Sequence, residues 1–424
     1  MKATRIASLS VEVIAATIAL TSLLTMAGAP ACSAVDTLVS VPVGTAPVLD
    51  GDGDDPAWTG ATALDIIVSG GWYGTGHMFL QSVYANDKIY FKVVYADPDR
   101  SSRREPWRKL GTGDWEHVPS RSAAQALLNG TSAGFTTKDP DGAYEDKFAL
   151  LWNTTGASKV ANFDEGVGCY ALCHTGGGNG GSGDFGRKYT SSANEIADFW
   201  HFKSVRTGPV VSQTDDGAGG VYEIGQVHDQ YVDNCKGTQG NPTGDPACNG
   251  DWGRHSDPKT GGYSDNVDVS GMLPAFTSPT QPADGSADSP YFIRKSEETS
   301  FVDADFAIGD EVAGIRIAAF EGDAADISSG AHYDAVNHTW TVELTRALVT
   351  GSTKDVQFSD LDATYFFGAA IFDNAQVEHS ISQSLLKMTF APEPSALLAQ
   401  VTALSVVFIL RRRARSSAAA TGGN

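Results

Sequence analysis

One short segment combines two cysteines and a histidine at a spacing that could hold a cofactor. The segment GCYALCHTGGG, residues 168–178, contains Cys169, Cys173 and His174. A c-type haem uses two thiols and one imidazole, and its usual attachment motif has two residues between the cysteines. Here three residues separate them, which lengthens the loop without changing the groups that react. The segment therefore favours covalent haem attachment.

Other interpretations of these cysteines stay open. A structural zinc site needs a second close pair of soft ligands, and the other candidates, Cys235 and Cys248, are far apart in the sequence. A thioredoxin-like pair has two intervening residues and adjoins a βαβ pattern, which is absent here. Cys235 and Cys248 lie in a loop rich in Gly, Pro and Asn, for which a disulfide is the favoured interpretation.

A six-coordinate haem iron needs a second axial ligand, commonly His or Met. His379 follows an apolar run in AIFDNAQVEHSIS, and His201 lies between two aromatic residues in DFWHFK. Met272 and Met388 are weaker candidates. Each histidine could instead be a packed, hydrogen-bonded residue, which is the commoner fate of a single histidine in a protein.

Composition limits the classes of partner. The chain has 424 residues, a formal net charge of −21 and 41% hydrophobic residues, which suits a folded domain with a proper core. No basic face is available to displace counterions from a phosphate backbone, so nucleic acid is excluded as a partner. The acidic surface suits either solubility or attraction to a basic redox partner protein.

The N-terminal residues 1–34 have the layout of a secretory signal peptide. Lys2 and Arg5 precede an apolar run and then a small-residue segment that contains Cys32. Cleavage would remove Cys32 or, as the alternative, leave it as a lipid-anchored N-terminus. Export places the four remaining cysteines where thiols become disulfides, metal ligands or covalent cofactor attachments.

The C-terminal residues 391–424 carry a second targeting pattern. A Pro-Glu-Pro triplet at 392–394 precedes the apolar segment Ala396–Leu410 and a basic cluster at 411–415. This order resembles the PEP-CTERM sorting signal, which implies recognition by an exosortase-type processing enzyme. The alternative is an ordinary membrane anchor, with the basic cluster kept inside. Both predict at least transient tethering to a membrane.

Between these signals, residues 35–390 predict one mainly β domain with few short helices. The runs FLQSVYA and KIYFKVVYA meet at Asn86-Asp87, which is typical of a hairpin. We expect an antiparallel β-sandwich with a loop-rich insertion at about 99–300 that carries the cysteines; two separate domains are the alternative. The acidic stretch at 46–66 lacks the glutamate of a calcium loop, so it is interpreted as a strand-entry turn with Trp58 packed inward.

Several segments together resemble a known family. They are LDGDGDDPAW, IYFKVVYADPDRSSRREPW, YEDKFALLWN, GCYALCH, ADFWHFKSVRTGP, TWTVELTRAL and FFGAAIFDNAQVEHS. Their order over residues 46–390 resembles the dimethyl sulfoxide reductase-like haem-binding domain, which includes the gamma subunit of ethylbenzene dehydrogenase. The resemblance implies a β-sandwich with one haem at its edge and a role in electron transfer outside the cytoplasm.

The resemblance also implies roles for individual residues. Relatives that bind haem b use a methionine and a lysine as axial ligands, and this chain offers CYALCH and VEHS at the matching places. Cys169 and Cys173 would form the thioethers of one haem c, and His174 would be the proximal iron ligand. His379 would be the distal ligand, with His201 as the alternative ligand or a pocket residue.

The sequence thus predicts an exported c-type cytochrome, periplasmic or at the cell surface, that transfers single electrons to a partner protein. It would not be an enzyme itself, although it could serve as the haem subunit of a molybdenum oxidoreductase. The rival prediction is a surface-displayed carbohydrate-binding β-sandwich with structural disulfides. Four aromatic residues that look exposed would form its sugar platform: Trp72, Tyr73, Trp107 and Trp115.

Overall fold

The computed structural model describes residues 36–119, 144–161, 163–164, 190, 194–233, 254–255, 261–278, 292–376, 378–382 and 384–392. Within these ranges the regular elements are strands and short 3₁₀ helices, and no α-helix occurs. The strands in chain order are β1 Thr37–Pro42, β2 Leu64–Gly70, β3 Gly76–Ala85, β4 Lys88–Ala96, β5 Trp107–Gly111, β6 Asp114–His117, β7 Lys147–Asn153, β8 Ala197–Lys203, β9 Ser212–Asp215, β10 Val221–Val232, β11 Arg254–His255, β12 Ser264–Asp265, β13 Phe276–Thr277, β14 Ile293–Arg294, β15 Thr299–Ser300, β16 Glu311–Val312, β17 Ile315–Ile317, β18 Ile327–Asp334, β19 Thr339–Ala347, β20 Tyr365–Phe372, β21 Ser380–Ser382 and β22 Leu386–Phe390. The 3₁₀ helices are Pro56–Gly60, Gly156–Ser158, Asp303–Asp305 and Gly322–Ala325.

Ten strands close into a barrel in the order β20, β21, β2, β3, β4, β19, β18, β10, β8 and β7, and β7 returns to pair with β20. Strand β1 lies parallel to both β22 and β3, so the sheet is mixed. The prediction of a mainly β fold with few short helices is confirmed. The predicted antiparallel sandwich is corrected, because the edge strands pair with each other instead of ending two separate sheets.

The predicted loop-rich insertion at 99–300 also needs correction. Three barrel strands, β7, β8 and β10, come from this part of the chain and pair with one another as well as with the terminal strands. Of the other short strands in this range, β9 and β11 pair with β10, and the rest join small sheets such as β16-β5-β6 and β12-β17-β14, which also include strands beyond residue 300. The middle of the chain therefore builds one side of the barrel.

Local sequence signals account for several elements. The hairpin between β3 and β4 is confirmed, and Asn86 and Asp87 have φ values of 50° and 63°, as a two-residue turn with left-handed residues requires. Trp58 packs inward as predicted, and its Nε1 donates to Glu343 at 2.8 Å. Inside the barrel, Trp152 stacks on Phe367 with ring centroids 4.7 Å apart.

No helix in the described ranges is long and apolar enough to cross a membrane. The apolar C-terminal segment at 396–410 and the predicted signal peptide at 1–34 both lie outside the described residues, so these two predictions stand untested.

A buried ion pair lies inside the barrel wall. Arg346 in β19 is fully buried, and its Nη1 donates to Asp198 at 2.7 Å and to Asp229 at 3.3 Å. The guanidinium also lies over the ring of Trp200, with its central carbon 4.6 Å from the centroid. Burial strongly opposes isolated charge, so the two carboxylates depend on this one cation.

We predict that Arg346→Met lowers the free energy of unfolding by about 3–5 kcal/mol, because it leaves the buried carboxylates uncompensated. Chemical denaturation at neutral pH measures this loss. The matched control is Arg316→Met, which breaks a partly exposed pair with Glu298 and should cost no more than about 1 kcal/mol. Equal losses of unfolding free energy in the two variants would contradict the claim that Arg346 compensates buried negative charge.

Candidate functional site

His379 and His201, the two candidates for the distal iron ligand, both contact Phe372 on the outer face of the barrel. On β7, β8 and β20, inward-pointing core residues alternate with outward-pointing ones. Across the outer face, Ala370 pairs with Ala149, Ala149 with His201, and His201 with His228. The two alanines place small, buried apolar side chains beside the imidazole of His201.

His201 is held firmly within this face. Its side chain is only 2% exposed although it points away from the barrel core. The imidazole lies 5.0 Å from the ring of Phe199 and 5.4 Å from the ring of Phe372, measured between centroids. Strands on both sides fix its backbone, so β8 can present the ring in one orientation only.

His379 also packs against the ring of Phe372. Its imidazole centroid is 4.8 Å from that of Phe372, with the rings inclined at 33°. The residue directly precedes β21, and Ser380 Oγ donates to the carbonyl oxygens of Gly70 and Gly74. The turn after β2 therefore positions His379 against Phe372, and the two histidines share one contact residue.

Gly71 makes this arrangement possible through a close backbone approach. Its φ is +38°, and a Cβ placed on it would lie 2.4 Å from the carbonyl carbon of His379. Such a distance is far inside van der Waals contact, so only glycine fits here.

Two buried lysines flank the pocket in the next row of the sheet. Phe372 pairs with Lys147, and Lys147 pairs with Lys203. The Lys147 Nζ lies 4.3 Å from the Phe372 ring centroid and donates to the carbonyl of Gln376 at 3.1 Å. The Lys203 Nζ lies 2.9 Å from Nδ1 of His228. Buried cations therefore border the aromatic pocket.

A buried carboxylate near these lysines binds the side chain of Arg206. Glu145 is buried and accepts from the backbone N–H groups of Val205 and Arg206 at 2.9 Å each, and from the Arg206 side chain. Burial opposes its ionisation, but the charges of Arg206 and Arg104 outweigh this and lower the pKa of Glu145. The edge of the pocket thus carries an ionised network with more basic than acidic side chains.

The other predicted site residues fall elsewhere. Cys169, Cys173 and His174 lie outside the described residues, as do Cys235 and Cys248. Of the weaker ligand candidates, Met388 is buried in the barrel core and Met272 is exposed. The structure therefore places His201 and His379 together and leaves the proximal side of the proposed haem as a prediction.

The aromatic residues expected to form a sugar platform are mostly not available for one. Trp107 and Trp115 are buried, which corrects the prediction that they are exposed. Trp107 Nε1 donates to the carbonyl of Asn266 at 2.6 Å, and Trp115 packs edge-on against Phe301 and Phe306. Their indole faces are occupied within a small core of their own.

Sequence reasoning missed Phe372 and the two buried lysines. A signal was present, because in DKFALLWN the alternation of core residues Phe148, Leu150 and Trp152 puts Lys147 on the outer face. The same alternation in ADFWHFK puts His201 and Lys203 on that face. Strand pairing, which the sequence does not reveal, then brings these residues beside Phe372.

Fold and site together define a mainly β protein in which two imidazoles pack on one aromatic ring at the outer face of a closed barrel. A family model described as ethylbenzene dehydrogenase matches residues 55–384. The match covers most of the chain, and the protein belongs to this family. A comparison with curated proteins yields no significant match.

We predict that Gly71→Ala displaces His379 from Phe372, because the added Cβ would collide with the carbonyl carbon of His379. The imidazole NMR signals of His379, assigned with His379→Gln, should shift in this variant. Gly74→Ala is the matched control, since Gly74 also has a positive φ, +76°, but has open space around its Cβ position. Unchanged His379 signals in a folded Gly71→Ala protein would contradict this account.

Proposed function

We propose that this protein is an exported electron-transfer protein that carries one covalently bound haem in the pocket around Phe372. One observation carries the proposal. His201 and His379, which are far apart in the sequence, both pack on the ring of Phe372. In a family whose relatives bind haem, this convergence supports an iron-ligand role for one of the two imidazoles.

The residues of the pocket fit a haem in their chemistry. Imidazole nitrogen is a common axial ligand of haem iron. The small apolar side chains of Ala149 and Ala370, next to aromatic Phe199 and Phe372, are of a kind that suits contact with a flat apolar ring. When bound, a haem supplies a reversible one-electron iron couple.

The chain's own groups have separate tasks in this proposal. Strand pairing fixes His201, and the turn at Gly71 fixes His379, so either imidazole can be held without further ordering. Lys147 and Lys203 offer positive charge near the pocket, which suits the carboxylates of a haem. Buried aromatic side chains on this face keep water away from the site, which is one means of setting a redox potential.

The remaining ligands of the proposal come from the sequence. Cys169 and Cys173 would form the thioethers, and His174 would bind the iron on the proximal side. His379 is the preferred distal ligand because it lies at the partly exposed rim of the pocket. His201 is the alternative, or it lines the pocket as a buried neighbour.

Export and partners follow from the same proposal. Residues 1–34 would be removed as a signal peptide, and the segment 391–424 would tether the protein until an exosortase-type enzyme processes it. In the periplasm or at the cell surface, Cys235 and Cys248 would form a disulfide. The net charge of −21 favours a redox partner with a basic surface. Family membership supports association with a molybdenum oxidoreductase, in which this chain would be the haem subunit.

The first test identifies the distal ligand of the haem iron. We expect protein co-expressed with a haem-maturation system to show a Soret band and a low-spin spectrum. His379→Ala should convert it to high spin, whereas the matched control His332→Ala, at a stacked pair with Tyr222, should not. Loss of the low-spin spectrum in His201→Ala instead would assign His201 as the distal ligand. A colourless protein would refute haem binding. A low-spin spectrum that survives both His379→Ala and His201→Ala would refute ligation of the iron by either histidine.

The second test measures the covalent link. Haem should remain with the polypeptide after acid-acetone extraction and denaturing electrophoresis. Cys169→Ser together with Cys173→Ser should release it, while Cys235→Ser should retain it. Haem that is extracted from the unaltered protein would show non-covalent binding and remove the thioether assignment.

A further inference from the structure

A second site lies where barrel strands end, apart from the aromatic pocket. Asp97 and Asp99 follow β4, and Asp373 follows β20. One carboxylate oxygen from each lies within 4.8 Å of the others. Asp97 is fully buried, and its backbone is fixed on both sides: its N–H donates to the carbonyl of His338 at 2.9 Å, and the Tyr333 hydroxyl donates to its carbonyl oxygen at 3.2 Å.

Two buried polar atoms point to a missing ligand in this cluster. Among the residues that the structure describes, neither Oδ2 of Asp97 nor the hydroxyl of Tyr95 has a hydrogen-bond partner, and both residues are 0% exposed. They belong to one neighbourhood, since Asp97 is the charge that acts most strongly on the Tyr95 hydroxyl. Nevertheless they do not bond to each other. Buried polar groups are almost always satisfied, so a further species between them is expected.

The negative charges of the cluster indicate that the missing ligand is positively charged. Within the described part of the chain, no basic side chain forms an ion pair with Asp97 or Asp99. Burial, followed by the charges of Asp146 and Asp373, raises the pKa of Asp97 to about 11. Three carboxylate oxygens within 4.8 Å of one another repel when ionised, and a cation between them would relieve that repulsion. A comparable acidic cluster at Asp198 and Asp229 already contains Arg346.

We propose that Asp97, Asp99 and Asp373 bind a calcium ion. All of the donors are oxygens, which hard cations prefer, and no thiol or imidazole belongs to the cluster. The ligands come from two loops, and Ca²⁺ accepts such irregular geometry more readily than Mg²⁺ does. A bound ion would tie the ends of β4 and β20 together.

Asp146 lies beside the ligands and acts as a positioning residue. Its Oδ2 accepts from the Ser101 N–H at 2.7 Å and from Trp340 Nε1 at 3.3 Å, and its Oδ1 accepts from the Asn374 N–H at 3.3 Å. Both oxygens are therefore committed to N–H donors. They hold together the loop after β4 and the loop after β20, which carry the proposed ligands.

The competing explanation is a proton in the cluster with no metal. The two explanations differ for Asp97→Asn, whose amide resembles the protonated acid. If a proton fills the cluster, this variant should match the stability of the unaltered protein, and calcium should affect neither. If calcium fills it, the variant should lose the calcium response.

The experiment uses the full-length protein after chelator treatment and dialysis. Calcium chloride should raise the melting temperature in a saturable way, and isothermal titration calorimetry should give one site, with weaker binding of magnesium chloride. Asp97→Asn and Asp99→Asn should each weaken calcium binding by at least about 10-fold. Asp99 is exposed, so its variant keeps the test decisive even where Asp97→Asn fails to fold.

Asp362→Asn is the matched control, because Asp362 is an exposed aspartate elsewhere on the surface. It should bind calcium as the unaltered protein does. The proposal is overturned if calcium neither shifts the melting temperature nor gives a saturable titration, or if Asp99→Asn binds calcium with unchanged affinity. Since no part of this experiment needs haem, its failure would leave the electron-transfer proposal unaffected.

Discussion

Strand β7 pairs with β20 from Trp152 opposite Phe367 to Lys147 opposite Phe372, and this pairing closes the barrel. The same register sets the outer face. It puts Ala149 beside Ala370 and brings Phe372 within reach of His201, which β8 carries. A shift of one residue would turn every side chain of β7 to the opposite face. The aromatic core and the histidine pocket therefore depend on one hydrogen-bonded ladder.

Polar groups are buried on both sides of this wall, and each needs its partners. Inside, Arg346 compensates Asp198 and Asp229. Outside, Glu145 is held by Arg206 and neighbouring cations. Buried charge is costly unless it is paired, so loss of either network's cation would destabilise the barrel. The carboxylates after β4 and β20 form a further acidic cluster, for which calcium is the proposed counter-charge.

The sequence predicted those features whose conformation is determined by residues close by in the chain. Asn86-Asp87 specified its hairpin through residues that tolerate left-handed backbone, and Trp58, the large apolar residue of an acidic stretch, packed inward. The histidines His201 and His379 were identified from their strand context. Family membership was also predicted from short segments, and it agrees with the match over residues 55–384.

What the sequence could not predict depends on contacts between distant segments. Closure of the barrel requires β7 and β20 to meet, and no local signal specifies that pairing. Trp107 and Trp115 looked exposed, but Asn266 and Asp303, far along the chain, accept hydrogen bonds from their indole nitrogens. The contact residue Phe372 was missed for the same reason, since only the folded structure shows that its ring contacts two histidines.

The central claim is that the pocket around Phe372 holds the haem. A crystal structure of the coloured protein, purified from cells with a haem-maturation system, tests this most directly. The account predicts an iron atom coordinated by the imidazole of His379 or His201, with the porphyrin beside Phe372 and the alanine surface of β7 and β20. A haem bound at any other face of the barrel, with both histidines uncoordinated, would contradict it.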